Sequence, residues 1–364
     1  MPTLADVAER SGVSKSTASR VLNGLAQQFR ISKPTVSLVE AAARELGYRP
    51  NYAAQALTSG RTKTIGLIGP IPDDDPWGRD FFAPIMAGIS EQTRLSGFSL
   101  MLTPHNRDNM GLDPATTRQV EALVAPGFVM SPSFSGLDLE ALAIPMALVT
   151  DPPVPSRHPI VTFDATPGVE AACHHLLELG HRRIAWIGLR YSRNIGDQKH
   201  VRKDDDQDGR RATLSRCLKS AGLELVDDIT IQLPEQLDRD RARQLDRLAK
   251  DLLWERKRLG AATAFVCFND IMACAAIRAL GAMGLSTPGD TSVVGVDNLW
   301  GDLLDPALTT IDMHLSAIGR RAAEIAIHMA DHPRKRDRWT HQREIIPSTL
   351  VTRNSTGPAP HKES

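Results

Sequence analysis

Apolar residues recur at helical spacing through the first 46 positions. Leu4, Val7 and Ala8 line one face of a first helix, Ala18, Val21 and Leu22 a second, and Val36, Val39, Ala43 and Leu46 a third. Thr3 and Ser14 stand where the first two helices need caps, and Asp6 suits the positive end of the first dipole. Between them, Ser11-Gly12-Val13 breaks the apolar face, and Gly12 supplies the backbone freedom of a sharp turn. Pro34 falls in the first turn of the third helix, where its missing N–H does no harm, and Gly47 ends it. A helix-capable stretch, 52–62, follows Pro50 and is too short to be stable alone in water.

From residue 64 the pattern changes to short apolar runs alternating with amphipathic ones. Strands are expected at 64–69, 99–103, 127–130, 146–150, 183–188, 229–233, 264–268 and 292–296. Helices are expected at 82–96, 168–179, 211–221, 239–259 and 271–283. Such alternation means parallel sheets covered on both faces, and the strands are too many for one small sheet. Two doubly wound subdomains follow, with ligands expected in the cleft between them at the strands' carboxyl ends.

Charge is unevenly placed. The chain has 43 Lys/Arg and 43 Asp/Glu, yet residues 1–63 hold nine basic and four acidic groups, leaving 34 basic against 39 acidic beyond. A basic N-terminal segment steers toward nucleic acid, whereas the acidic remainder argues against a chain that coats it along its length. The second helix leaves Lys15, Ser16 and Arg20 pointing outward, as a helix-turn-helix does when its second helix enters a major groove. An ordinary helical hairpin with a solvated face fits these residues alone as well. The start lacks a charged-then-apolar leader and no run is long enough to span a membrane, so a cytoplasmic location is expected. The four cysteines are scattered and read as reduced, mostly core, residues. No Cys/His cluster has metal spacing, and no phosphate loop or dinucleotide fingerprint is present; no metal, no cofactor and no enzymatic activity are expected.

The motifs Asp6-Val7-Ala8, Gly12-Val13-Ser14, Ser19-Arg20-Val21-Leu22-Asn23, Leu46-Gly47-Tyr48 and Pro50-Asn51, with Ala54 and Leu57, resemble the DNA-binding head and hinge of the lactose-repressor (LacI-type) family of bacterial transcription regulators. The resemblance continues through Ile65-Gly66, residues 179–184, Asn269-Asp270, Gly284-Leu285, residues 293–297 and 306–310, and Leu350, Arg353, Ser355 and Thr356. Departures are a loop after Asn23 about three residues longer than the family pattern, Ala18 where Val is usual, Gln55 where Arg is common, Thr213 where Gly is usual, and no aromatic before Asp297.

The resemblance implies an all-α helix-turn-helix head and hinge helix joined to an α/β core like that of periplasmic binding proteins, two doubly wound parallel-sheet subdomains. Its boundaries are head 1–49, hinge 50–62, core 63–352 and tail 353–364. The N-subdomain is expected at 63–162 plus 296–328 and the C-subdomain at 163–295 plus 329–352, with crossings near 162, 295 and 328. By position, Lys15, Ser16 and Arg20 read base edges. Thr3, Ser14, Thr17, Ser19, Asn23 and Tyr48 contact phosphates. Leu57 is the minor-groove wedge.

For the effector, the resemblance points to Asp151, Arg210, Asp270 and Asp297 as polar contacts. Two carboxylates and a guanidinium grip a polyol in bidentate fashion, which favours a sugar or sugar derivative. Asp270 also reads simply as a helix cap and Asp151 as a turn before Pro152-Pro153. In the 71–82 segment, Trp77, Phe81 or Phe82 can stack on a sugar face; a surface turn with Phe82 in the core fits equally. The implied function is a ligand-responsive repressor that binds a near-palindromic operator duplex as a homodimer, without a membrane partner. The alternatives are a regulator answering to a nucleobase or a protein partner, or a solute-binding protein, which has no use for residues 1–62.

Overall fold

The computed structural model describes residues 2–48, 56, 60–68, 76–103 (76–79 by backbone alone), 118–127, 144–150, 155–190, 209–232 and 240–360. The chain divides into two compact units, 1–63 and 64–364.

The first unit is three helices, α1 (Leu4–Arg10), α2 (Lys15–Leu22) and α3 (Lys33–Glu45). Each starts at a hydroxyl cap. Thr3 and Asp6 form a reciprocal box, the Thr3 amide donating to Asp6 Oδ2 at 2.7 Å and the Asp6 amide to Thr3 Oγ1 at 3.4 Å. Ser14 and Ser32 accept from the amides of Thr17 and Thr35 at 3.1 and 3.3 Å. The three apolar faces meet in one core of Val7, Ala8, Ala18, Val21, Val39, Ala42 and Ala43. Ala18, fully buried, keeps α2 close to its neighbours. An exposed Arg10–Glu45 ion pair joins the ends of α1 and α3.

The second unit holds two six-stranded sheets. In the first, β2 (Ser99–Thr103), β1 (Thr64–Ile68), β3 (Ala122–Pro126), β4 (Met146–Val149), β5 (Ile160–Asp164) and β11 (Arg343–Pro347) lie side by side, all parallel. In the second, β7 (Asp227–Gln232), β6 (Ile184–Arg190), β8 (Ala264–Cys267), β9 (Ser292–Val296) and β10 (Thr309–Asp312) are parallel, and β12 (Thr349–Val351) closes the edge antiparallel. Both show the doubly wound order 2-1-3-4-5, so each has a switch point where its strand order reverses, β1/β3 and β6/β8. The helices are α4 (Pro76–Leu95), α5 (Thr166–Glu178), α6 (Arg210–Ser220), α7 (Arg241–Trp254), α8 (Asp270–Ala282) and α9 (Leu315–Asp331), with a short turn Arg256–Leu259 after α7. Helices α4 and α9 touch backbone to backbone: a Cβ on Gly319 would meet the Ile85 carbonyl oxygen at 2.0 Å, and one on Gly88 the Ser316 oxygen at 2.0 Å.

Several elements differ from the sequence expectation. The sheet's third strand in chain order is 122–126, which was not expected: its Ala-Leu-Val-Ala-Pro run is weak in β-formers but buried throughout, and burial decided its place; of the strand expected at 127–130, residues 128–130 lie outside the described residues. β5, β10, β11 and β12 were not anticipated, being short, polar or at an edge. The crossings fall near 165, 313 and 348 rather than 162, 295 and 328. β10 pairs with β9 (Thr309 opposite Val294), so 296–312 stays in the second subdomain; α9 then returns to pack on β3, β4 and β5, and 343–347 completes the first sheet. The crossings are bonded to one another. The Ser348 amide donates to the Asp164 carbonyl at 3.0 Å, and its Oγ accepts from the Gly168 amide at 3.0 Å. The His314 ring bonds Thr349 Oγ1 at 3.1 Å.

Among the described residues no helix is long and apolar enough to cross a membrane, and no cluster of His, Cys, Asp or Glu is arranged to hold a metal ion. All four cysteines are free, three of them buried.

Candidate functional sites: an exposed helix face and the carboxyl ends of two sheets

Of the residues that the sequence singled out, Lys15, Ser16, Thr17, Ser19 and Arg20 lie on α2, Ser14 and Asn23 cap its two ends, and Thr3 and Tyr48 stand at the start of α1 and after α3. Lys15, Ser16 and Arg20 are exposed; Thr3, Ser14 and Asn23 are exposed as well, and Thr17, Ser19 and Tyr48 are half-buried. The hydroxyls form a row: Ser14 Oγ bonds Ser16 Oγ and Thr17 Oγ1, each at 2.8 Å, and Asn23 Nδ2 donates to Ser19 Oγ at 3.2 Å. Lys15 opens α2, at the positive end of its dipole, and the first turn carries no acidic residue. A cation there costs helix stability, of order 0.3–1 kcal/mol. An anion at that end is favoured by the free amides, the dipole and the ammonium together. Arg20 lies over the Phe29 ring, Cζ 4.0 Å from the centroid. Leu57 lies outside the described residues.

In the second unit, four residues meet at the switch point of the second sheet, where β8 ends and α8 begins. Arg210, 7% exposed, opens α6; its Nη1 donates to the Phe268 carbonyl at 2.5 Å and its guanidinium stacks on the Phe268 ring at 4.0 Å. Asn269 caps α8, its Oδ1 accepting from the Met272 amide at 3.0 Å. Asp270 follows. Its carboxylate is turned inward: Oδ2 accepts from the Leu299 amide at 2.8 Å and the Trp300 amide at 3.4 Å, and Oδ1 from Thr310 Oγ1 at 2.5 Å. Burial pushes its pKa up to about 6 against the lowering effect of those donors and of Arg353. The expectation of Asp270 as a direct ligand grip is thereby corrected: at 1% exposure, with both oxygens engaged, it braces the 297–300 loop.

That loop is backbone under strain. Asp297 has φ +102° and Asn298 +52°, a region that non-glycine residues avoid except where surroundings enforce it, often beside functional sites. Asn298 Nδ2 donates to Asp312 Oδ2 at 3.1 Å and its Oδ1 accepts from Arg353 Nη2 at 2.8 Å. The Arg353 Nη1 reaches the Leu308 carbonyl at 2.8 Å. Asp297 is half-buried just past the carboxyl end of β9, at the same end of the parallel sheet as Asn269 after β8.

Phe82 is not presented to a ligand. It is 6% exposed in the main core, its ring edge-on to Phe81 at 5.7 Å, with Phe81 in turn edge-on to Phe163 at 6.3 Å. The physical reason is its helical register with Ile85 and Ile89, both fully buried. The side chain of Trp77 and the whole of Asp151 lie outside the described residues. Sequence reasoning missed Phe268, which adjoins the quoted Asn269-Asp270 motif, and gave Asn269 within that motif no site role. It also missed an ion pair across the subdomains, Arg241 of α7 with Asp80 of α4, beside Trp300.

Comparison with known proteins is consistent along the chain. Residues 3–51 match the model of the family described as bacterial regulatory proteins, lacI family, and residues 173–356 that of the periplasmic binding protein-like domain. The HTH-type transcriptional regulator DegA of Bacillus subtilis (strain 168) is 30% identical over 98% of both chains. Among solved structures, the lac repressor dimer bound to operator and the anti-inducer ONPF is 23% identical, with TM-score 0.68 over 98% of this chain and 99% of that one. The transcriptional regulator CelR in complex with cellobiose is 24% identical, with TM-score 0.59 over 98% and 100%.

Proposed function

The chain belongs to the LacI family of bacterial transcription regulators, with a DNA-binding head and an effector-binding core, and from that premise we propose that it is a dimeric repressor of a near-palindromic operator, released or engaged by a sugar or sugar derivative. The observation that carries the DNA half is the outer face of α2, with a lysine at the positive helix end, a hydroxyl row and a stacked arginine. Lys15, Ser16 and Arg20 read base edges; Thr3, Ser14, Thr17, Ser19, Asn23 and Tyr48 hold phosphates; Leu57 wedges the minor groove. Two heads then take successive major-groove half-sites.

The effector half rests on the carboxyl ends of the two sheets, where ligands of doubly wound folds bind. Arg210 and Asp297 grip hydroxyls, Asn269 adds a polar contact, and Asp151 and Trp77 approach from the first subdomain. Asp270 acts through the loop it braces. Ligand binding shifts the angle between subdomains about the three bonded crossings, and differential affinity for two such states is the coupling to DNA.

The test joins both halves. Arg20→Ala abolishes preference among operator variants more than it lowers nonspecific affinity, and Leu57→Ala weakens operator binding while sparing effector binding. An equal loss on all sequences in the first, or unchanged operator affinity in the second, refutes the assignment. A thermal-shift panel of sugars, sugar phosphates and nucleobases identifies the effector class, since a ligand of the folded state raises the melting temperature. A sugar hit that persists in Arg210→Ala contradicts the proposed grip.

A further inference from the structure

The loop after Asn23 is fixed at both ends. Gly24 (φ +72°) stops α2 with a paired set of bonds, its own amide to the Val21 carbonyl at 3.0 Å and the Leu25 amide to the Arg20 carbonyl at 2.8 Å. Ala26 and Ile31 pack against the head core, and the Ile31 amide donates to the Ala26 carbonyl at 2.8 Å. The Phe29 amide donates to the Leu25 carbonyl at 3.1 Å, so residues 25–29 form a compact turn. Phe29 remains 44% exposed, so core packing does not account for an aromatic there. Its ring lies 4.0 Å from Arg20 Cζ, on the helix face assigned to base reading.

We propose that Phe29 is a positioning residue for sequence readout: its ring holds the flat face of the Arg20 guanidinium so that the N–H edge meets a guanine in one orientation. The inference rests on α2 being the helix that enters the groove. Stacking occupies the π-face of a guanidinium and leaves its in-plane donors available, the same donors that bond guanine O6 and N7. An unsupported arginine on an exposed helix loses rotamer freedom when it engages a base, and the ring removes much of that loss beforehand. A lysine has no flat face to hold, and an aliphatic side chain has no π-face to offer.

The test uses the full-length protein and duplexes enriched from a randomised DNA pool by the wild type. Arg20→Ala first identifies the G·C pair whose discrimination it removes. At that pair Phe29→Ala loses about two- to fivefold in discrimination, the range of an exposed cation–π contact. Phe29→Tyr retains it and Phe29→Leu behaves as alanine. Other base pairs and the salt dependence of binding stay as in the wild type, because no phosphate contact is lost. Wild-type discrimination in Phe29→Ala, a uniform loss on every duplex, or full rescue by leucine overturns the inference while leaving α2 as the reading helix. A wild type that enriches no sequence overturns both.

Discussion

Substituting Gly319 by alanine sets helix propensity against packing, and the two give opposite signs. Gly319 lies inside α9, where alanine is intrinsically better by about 0.8–1 kcal/mol. Its added Cβ, however, would lie 2.0 Å from the Ile85 carbonyl oxygen, 2.8 Å from its carbon and 3.0 Å from its Cα. All three are backbone atoms of α4, so no rotamer change relieves the contact; the helices must part by roughly 1 Å. A gap of that size forfeits a quarter to a half of each dispersion contact along the interface, and over-packing of this kind costs about 1–3 kcal/mol. With rigid backbone on both sides the cost falls near the upper end, and the net loss is about 2 kcal/mol. With a urea slope of about 3 kcal/mol/M, the midpoint falls by roughly 0.7 M. Gly281→Ala is the matched control: it lies near the end of α8 with nothing within 4 Å of its Cβ, so it stabilises by up to about 1 kcal/mol. A Gly319→Ala midpoint equal to or above wild type refutes the backbone contact between α4 and α9.

The buried Asp270 gives the core a pH dependence. Its pKa rises from 3.8 to about 6 on folding, so the native state holds a proton that the unfolded chain has lost, and stability falls as pH rises between these values. Relative to Asp270→Asn, which does not titrate, the wild type should lose about 2 kcal/mol between pH 3.8 and 6; parallel urea midpoints for the two proteins across that range contradict it. The Asp80–Arg241 pair bridges the subdomains with Arg241 half exposed, so a double-mutant cycle should return a coupling of about 0.5–1 kcal/mol that shrinks in high salt. A coupling indistinguishable from zero at low salt removes this pair as a clasp.

The head was readable residue by residue because its information is local: hydroxyl caps, a Gly stop and helical periodicity lie within a few positions of what they determine. The central strands were readable because burial on both faces makes them uniformly apolar. Crossing positions were not, because sheet membership of 296–312 depends on β10 pairing beside β9, and local composition carries no sign of that. The candidate site divides the same way. Arg210 and Asp270 were visible as polar residues at element ends, and Asp297 only through the resemblance, whereas the inward turn of Asp270 depends on amides 29 and 30 residues away. The Arg241–Asp80 pair spans 161 residues. Phe82 carried an ambiguous signal, since an aromatic beside a loop fits a core and a ligand surface equally.

Residues 343–351 supply an edge strand to each sheet, one before Ser348 and one after. Neither sheet is therefore complete until the chain has been made almost to its last described residues, whereas the three-helix head is complete by residue 48. About 300 residues separate these events, roughly 15–60 s of translation at about 5–20 residues per second. Under the proposed function, a nascent chain therefore displays α2 throughout that interval before the core that would regulate it is finished.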